Sequence, residues 1–258
     1  MIAAFPTREN RVFDLLRGLP GAHGLVEAAR HGMGRAWADS PLHPRAAVVA
    51  VGDFLFCGGA PGPSATHLLR TAVSSEKRRW LVYAPGAWKA ALDRVVPNQP
   101  CTRYAFDPHV QPEDAHLRRL LAGAPEGLTF ERISGEWIAK CREAAWSRDF
   151  VSLFTDEQFE RDGLGMLVLL DGEPVAGASS YAAYPGGIEV QVETRREFQR
   201  RGLATLAAAR LILMAHGQGR IVTWDAANAG SAHLAEKLGY QMTGTYTVYE
   251  VAHEAGNL

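Results

Sequence analysis

The stretch GGIEVQVETRREFQRRGLATLAAARLILMAH, residues 186–216, decides the fold of this 258-residue chain. Its first part, Ile188 to Thr194, alternates apolar and polar side chains with the two-residue period of a β-strand. Its last part, from about Leu203 to His216, is rich in Leu and Ala and predicts a helix. A polar loop containing QRRGLA, residues 199–204, joins the two. The order strand, loop, helix predicts an α/β unit.

The loop carries the features of an anion site. Small residues at Gly202 and Ala204 let a diphosphate approach the backbone closely. The first N–H groups of a helix have no partner within the helix and point beyond its N-terminus. Arg200 and Arg201 oppose the helix dipole, so a bound anion explains them better than helix stability does. The alternative, for so short a motif, is a surface helix that begins with solvated arginines.

The elements around this stretch predict the order β-α-α-β-β-β-α-β-α-β-β for the second half. Asp171-Gly172 between apolar runs is typical of a hairpin turn. No internal sequence repeat is visible. Besides the strand and helix above, the predicted elements are strand 128–133, a helix from about 134, helix 155–161, strands 166–170, 174–184 and 221–225, helix 229–238 and a closing hairpin at 241–251.

The first half predicts a smaller α/β domain, because strand patterns alternate with helical ones. Gly- and Pro-rich residues 122–127 then break the chain, so we predict domains over residues 1–124 and 125–258. We expect the first domain to supply one wall of the substrate site, on the side where an acceptor molecule would bind, and not to contact a cofactor. The predicted elements are a helical pattern at 12–16, strands 46–51, 53–56 and 80–83, helix 87–95, an extended piece at 101–106 and a helix at 117–121.

The composition is typical of a globular protein, with 47% hydrophobic and 21% charged residues. The net charge of -1 argues against nucleic acid as a partner. The longest apolar runs, such as residues 164–170, are far shorter than the ~20 residues that span a bilayer, and the N-terminus lacks the order of a secretory signal. We expect a cytoplasmic protein with no membrane partner. Cys57, Cys101 and Cys141 are widely spaced, so we expect reduced, mostly buried thiols.

Two motifs together resemble the GCN5-related N-acetyltransferases (GNAT). Gln199–Ala204 resembles their Q/R-x-x-G-x-G/A pyrophosphate loop, and the stretch from Asn228 to Tyr240 resembles their second signature, an Asn that opens a helix closing in Leu-Gly-aromatic. The longer runs GGIEVQVETRREFQRRGLA, WDAANAGSAHLAEKLGY and YTVYEV are similar to the branch that contains zwittermicin A resistance acetyltransferases. The resemblance implies a GNAT-like mixed sheet flanked by helices from residue 128 onward, and it extends more weakly over the first half.

This resemblance implies acetyl-CoA as the acyl donor and a small-molecule primary amine as the acceptor. Pantetheine would pair with the strand before the loop, and the pyrophosphate would accept hydrogen bonds from the backbone N–H groups of residues 201–205. Asn228 can equally well be interpreted as an N-cap, and Ser231 as a hydroxyl in the first turn of the helix. The implied cofactor-binding residues are Val190, Val192, Gln199, Arg200, Arg201, Gly202, Leu203, Ala204, Thr205, Asn228 and Ser231.

The chemistry requires a base, because an acceptor amine is a protonated ammonium at neutral pH. Glu189, Gln191 and Glu193 form the polar face of the strand. We predict Glu189 as the catalytic base and Glu193 as the second choice; a hydrated strand edge is the alternative. Where many family members have a tyrosine that protonates the leaving thiolate, this chain has Ala235. The nearby tyrosines, Tyr240, Tyr246 and Tyr249, are more simply core aromatics.

Other functions are less well supported by the sequence. A catalytically silent acyl-CoA-binding or regulatory module is the main alternative to an acetyltransferase, and Ala235 favours it. The near-neutral charge of the whole chain argues against a nucleic-acid contact through the arginines of residues 195–201. The spacing of the histidines predicts no metal site. The identity of the amine and the oligomeric state cannot be deduced from the sequence.

Overall fold

A computed structural model describes residues 3–6, 10–76 and 78–252. Within these ranges the chain divides into two compact units. Residues up to Arg103 and from Thr245 onward form the first unit, and Tyr104–Gly244 form the second. Each unit contains a mixed sheet with flanking helices, so the predicted α/β fold class is confirmed.

The elements up to residue 106 follow the predicted alternation of strands and helices. A π-helical segment, Ala29–Met33, extends the second helix. In chain order the elements are β1 (Ala3–Pro6), α1 (Asn10–Asp14), α2 (His23–Ala28), β2 (Gly34–Ala38), β3 (Ala46–Val51), β4 (Phe54–Gly59), α3 (Ala65–Val73), β5 (Trp80–Tyr83), α4 (Ala87–Asp93) and β6 (Gln99–Phe106).

The elements from residue 114 onward lie closer to the sequence prediction. The helices predicted at Leu203–His216 and Ala229–Leu238 have those bounds. In chain order the elements are α5 (Asp114–Ala122), β7 (Leu128–Arg132), α6 (Glu136–Glu143), α7 (Asp156–Asp162), β8 (Gly165–Leu170), β9 (Glu173–Tyr184), β10 (Gly187–Thr194), α8 (Leu203–His216), β11 (Ile221–Thr223), β12 (Asp225–Ala226), α9 (Ala229–Leu238) and β13 (Met242–Val251).

The sheet of the first unit has the order β1-β2-β3-β4-β5-β13, and only β4 and β5 are parallel. Strand β3 is buried along its whole length. Trp80 and Trp88, each 1% exposed, join the core formed with α3 and α4. Burying such large aromatic side chains is a main source of stability for a unit of this size.

The second unit is built around α8 and the sheet β11-β10-β9-β8-β7. Its strands are antiparallel except for β10 and β11. Helix α8 buries most of its apolar side chains, including Leu211 and Ile212, each 0% exposed. Helix α5 belongs to this unit, where Asp114 Oδ1 lies 2.8 Å from Nδ1 of His216 at the end of α8. The compact units therefore divide about one helix earlier than the boundary predicted at residue 124.

The two halves of the chain repeat one order of elements. The series β1-α1-α2-β2-β3-β4-α3-β5-α4-β6 is matched by β7-α6-α7-β8-β9-β10-α8-β11-α9-β13. Helix α5 lies between the two series, and the short β12 is added after β11. The last strands are exchanged: the end of β13 pairs with β5 in the first unit, and the end of β6 pairs with β12 in the second. The fold is therefore a tandem arrangement of two similar α/β units.

Several local predictions differ from the structure. The closing hairpin predicted at residues 241–251 is wrong, because β13 is a single strand that passes through Gly244. Strands β1 and β2 and helices α2 and α3 were not predicted, although Leu68, Leu69 and Ala72 form a buried face of α3. Cys57 and Cys141 are free and buried, as expected, and Cys101 is half-buried. Burial raises the pKa of the Cys141 thiol to about 11.

Candidate active site

The candidate site lies in the second unit, where the parallel strands β10 and β11 separate. The two strands pair only over Gly187–Glu189, opposite Ile221–Thr223. Beyond Glu189, β10 continues to Thr194 along β9 alone, and no strand in the described part of the chain covers its other side. We call residues 190–194 the open edge. The backbone groups of an uncovered strand can bind an extended ligand.

The separation coincides with an irregularity in the sheet. The pairing of β10 with β9 shifts between Glu189 and Val190, so Tyr181 is skipped between Ser180 and Ala182. An extra residue of this kind bends a strand and increases its twist. Two predicted pantetheine-contacting residues of the open edge, Val190 and Val192, are half-buried. They are therefore within reach of a ligand.

The loop after β10 enters α8 through two residues with left-handed backbone conformation. These are Arg200, with φ of 61°, and Gly202, with φ of 78°. Leu206 N–H donates to the Gly202 carbonyl oxygen at 3.2 Å, so the N–H groups of residues 203–205 have no acceptor within the helix. A Cβ atom at Gly202 would meet no atom within 4 Å. The space and the N–H groups together suit an anion.

The side chains of this loop have two different roles. Arg200 and Arg201 are exposed at the start of α8. Gln199 Nε2 donates to the Thr194 carbonyl oxygen at 3.2 Å and closes the loop. Of the remaining predicted loop residues, Leu203 and Thr205 are buried and Ala204 is half-buried. These three residues offer backbone groups to a ligand more than side chains.

Glu189 lies at the point where the two strands separate. It is 4% exposed, and Thr223 on β11 contacts Glu189 Oε2 through its hydroxyl at 2.6 Å. A buried carboxylate needs such a partner, since desolvation otherwise destabilises the charge. Its position therefore suits a base that is shielded from bulk water.

Glu193 occupies a different environment at the far end of the same strand. It is exposed, and its Oε1 accepts from the N–H of Thr194 at 3.1 Å. Gln191, between the two glutamates, is half-buried. The structure thus separates the two candidate bases, which the sequence pattern placed on one face, and puts only Glu189 where the strands separate.

The three tyrosines that the sequence analysis considered beside Ala235 have different surroundings. Ala235 is fully buried. Tyr240 donates its hydroxyl to the Val222 carbonyl oxygen at 2.9 Å, as expected for a core aromatic. Burial, together with the charges of Glu189 and Tyr184, raises the pKa of Tyr240 well above its usual range. The remaining two candidates, Tyr246 and Tyr249, lie in the first unit.

Asn228 and Ser231 are held by structural hydrogen bonds at the start of α9. Asn228 Oδ1 accepts from Ser231 N–H at 2.9 Å, which is an N-cap interaction. Ser231 Oγ in turn accepts from the indole N–H of Trp224 at 3.2 Å. Asn228 is exposed and Ser231 is half-buried. Their role as caps is therefore observed, and their contact with a ligand stays a prediction.

Thr223 is the site residue that the sequence analysis missed. Its only local signal is its place near the end of an apolar strand, and its relation to Glu189 depends on the parallel register. The described residues contain no cluster of three or more His, Cys, Asp or Glu side chains placed to hold a metal ion. Across the same ranges, no helix is both long and apolar enough to cross a membrane.

Comparison with known proteins identifies relatives that match most of the chain. The uncharacterized N-acetyltransferase YdfB of Bacillus subtilis (strain 168) is 26% identical over 232 residues, covering 84% of this chain and 85% of that protein. The crystal structure of a GCN5-related N-acetyltransferase-like protein from Streptococcus suis 89/1591 is 33% identical, with a TM-score of 0.83, and the alignment covers 93% of this chain and 97% of that one.

The repeated order of elements has a counterpart as well. A tandem GNAT protein from the clavulanic acid biosynthesis pathway shares the fold with a TM-score of 0.52 at 14% identity, over 100% of this chain and 99% of that one. A model of the family described as GNAT acetyltransferase matches residues 20–249. Because that match spans most of the sequence and both units of the fold, the chain belongs to the GNAT acetyltransferase family.

Proposed function

We propose that this enzyme transfers an acetyl group from acetyl-CoA to a primary amine of a small molecule, by direct attack of the amine on the thioester. One observation carries the proposal. A single strand, β10, has a buried carboxylate, Glu189, where it leaves β11, and at its other end it runs into the loop that opens α8 with left-handed Arg200 and Gly202. These two features suit the reacting end and the phosphate end of one extended donor.

The donor would lie along the open edge of β10. Its pantetheine amides would bond the uncovered backbone near Val190 and Val192. Its diphosphate would accept hydrogen bonds from the backbone N–H groups of residues 201–205, where Gly202 leaves open space. Arg200 and Arg201 would add charge there, and Asn228 and Ser231 are proposed as further contacts.

The proposed chemistry begins with proton removal. The acceptor ammonium loses a proton to Glu189, directly or through a water molecule, which leaves a neutral nitrogen with a free electron pair. That nitrogen attacks the thioester carbonyl carbon, the carbon–sulfur bond breaks, and the CoA thiolate leaves. The second nitrogen proton goes to the thiolate or to solvent. A thiol has an ordinary pKa of about 8.5, so the thiolate can leave without an acid in the place of Ala235.

The acceptor class follows from the resemblance to zwittermicin A resistance acetyltransferases, so amino-containing antibiotics and metabolites are proposed first. The test is release of free thiol from acetyl-CoA in the presence of a panel of such amines. We expect release that depends on the amine, and Glu189→Gln should lose it while calorimetry still detects CoA binding. Binding of CoA with no release for any amine would favour a catalytically silent module.

A further inference from the structure

The hydroxyl of Thr223 contacts two oxygen atoms at once. Its Oγ1 lies 3.0 Å from the Ile188 carbonyl oxygen and 2.6 Å from Glu189 Oε2. Thr223 and Glu189 are each 4% exposed. They are also partners in the parallel register, the last pair before β10 and β11 separate. The arrangement is therefore buried and held by the backbone of both strands.

The protons of this arrangement can be counted. A hydroxyl has one proton, while a carbonyl oxygen and an ionised carboxylate have none. When Glu189 is ionised, Thr223 can donate to only one of its two neighbours. When Glu189 carries a proton, the carboxyl donates to Thr223 Oγ1 and Thr223 donates to Ile188, so both contacts are hydrogen bonds. One rotation of the O–H bond thus serves both charge states of Glu189.

We propose that Thr223 is a positioning residue for the base, and that its hydroxyl turns from the Ile188 carbonyl to the Glu189 carboxylate whenever Glu189 loses its proton. This inference rests on the proposed function, in which Glu189 takes a proton from the acceptor ammonium. That proton then lies between Glu189 and Thr223 Oγ1, while the proton of Thr223 points to Ile188. Release of the Glu189 proton to solvent reverses the rotation and restores the base.

Two titratable groups from neighbouring elements belong to the same surroundings. Tyr240, after α9, interacts electrostatically with Glu189 and with Tyr184 at the end of β9. Burial, with those two charges, raises the pKa of Tyr240, so this phenol stays neutral. Its proton is donated to the Val222 carbonyl oxygen. Tyr240 therefore donates its proton away from Glu189, whereas the Thr223 hydroxyl contacts Glu189 Oε2.

The test compares Thr223→Val, which keeps the shape and removes the donor, with Thr223→Ser, which keeps the hydroxyl. Titration of the Glu189 carboxyl is followed by carbon NMR on protein labelled at the glutamate carboxyl carbon, and Glu189→Gln identifies the signal. A hydrogen bond to a charged group favours the ionised form. We therefore expect the midpoint to move to higher pH by about one pH unit in Thr223→Val and to stay near wild type in Thr223→Ser.

The pH profile of kcat should move with the midpoint, while the KM for acetyl-CoA stays unchanged. An unmoved midpoint in Thr223→Val, or an equal movement in Thr223→Ser, would overturn the inference whatever the activity. Should Thr223→Val not fold, Thr223→Ala removes the same donor and is held to the same criterion. A moved midpoint with an unmoved kcat profile would support the positioning role and would instead remove Glu189 as the base of the proposed function.

Discussion

Each unit contains one pair of parallel strands, and in both units the first strand of the pair leads through a loop into a helix. The two strand ends differ in their surroundings, since one is packed by protein and the other is open. In the first unit, β4 pairs with β5 over Phe54–Phe56 and then continues along β3 alone, into a loop and α3. In the second unit, β10 pairs with β11 over Gly187–Glu189 and then continues into a loop and α8. Both units thus place a strand end that is paired on one side only before a helix N-terminus.

In the first unit this strand end is filled by the core. A Cβ atom at Gly58 would lie 2.6 Å from the Leu15 carbonyl oxygen, so another segment packs directly against the strand. Trp88, from α4, is 1% exposed and donates its indole N–H to the Gly59 carbonyl oxygen at 3.0 Å. The space beside Gly58 and the carbonyl oxygen of Gly59 are therefore occupied by the protein itself.

The loops that follow the two strands also differ in the N–H groups and charged side chains that they offer to an anion. The loop before α3 contains Pro61 and Pro63, which have no N–H, and it carries no charged side chain. The loop before α8 keeps its N–H groups and carries Arg200 and Arg201. Shared topology therefore does not create a site, since the side chains that fill or leave the gap decide whether a ligand can enter.

The largest expected effect comes from the end of β4 in the first unit, where Trp88 packs. Trp88→Ala should lower the free energy of unfolding by about 3–5 kcal/mol, because it removes a buried aromatic side chain and leaves a cavity. Urea denaturation measures the loss, and Trp88→Phe should lose less. Calorimetry on the folded variant should still find one CoA per chain. Loss of CoA affinity in a folded Trp88 variant would break the comparison, since the first unit would then contribute to the donor site.

The place where β10 and β11 separate is tested at the carboxylate of Glu189. Glu189→Gln should lower kcat by about 10²–10⁴-fold, the usual contribution of a general base, with little change in the KM for acetyl-CoA. Glu193→Gln is the matched control on the same strand and should be milder, since Glu193 is exposed. Steady-state kinetics decide between them. The reverse order of effects would move the base to Glu193.

The loop is tested at Gly202. Gly202→Asp should weaken CoA binding by about 100-fold, or ~2.7 kcal/mol, because a carboxylate would occupy the proposed diphosphate space and repel it. Gly202→Asn has nearly the same shape without the charge, and Asn tolerates the left-handed conformation better than most residues. Calorimetry with CoA should therefore show a smaller loss for Asn. Equal affinity of wild type and the folded Asp variant would contradict the loop assignment.

The smallest effect concerns the other end of α8. The hydrogen bond from His216 lowers the pKa of Asp114, with further contributions from the charges of His216 and Arg118. A carboxyl with a lowered folded pKa stabilises the fold above its unfolded pKa, about 3.9, and loses that contribution as pH falls through the folded value. Urea unfolding of wild type and Asp114→Asn should therefore differ at neutral pH and converge below about pH 4. A difference that persists in acid would assign the effect to packing.

Local interactions let the sequence determine the elements that carry the site. Asn228 caps α9 and Gly239 ends it with φ of 111°, so the predicted bounds match the structure. The alternation along Ile188–Thr194 likewise determined β10, and Gly202 with its neighbours determined the loop. Each of these signals depends on residues within about one or two helical turns of each other.

Only the tertiary structure decided how these elements are used. The exchange of β6 and β13 between the repeats, and the single strand at residues 242–251, depend on pairing with distant strands. Glu189 and Glu193 have the same local pattern, and only the parallel register places Glu189 beside Thr223. Trp88 likewise fills one gap while the corresponding gap stays open. Such choices depend on contacts between residues far apart in the chain, and no local periodicity records which distant segments will meet.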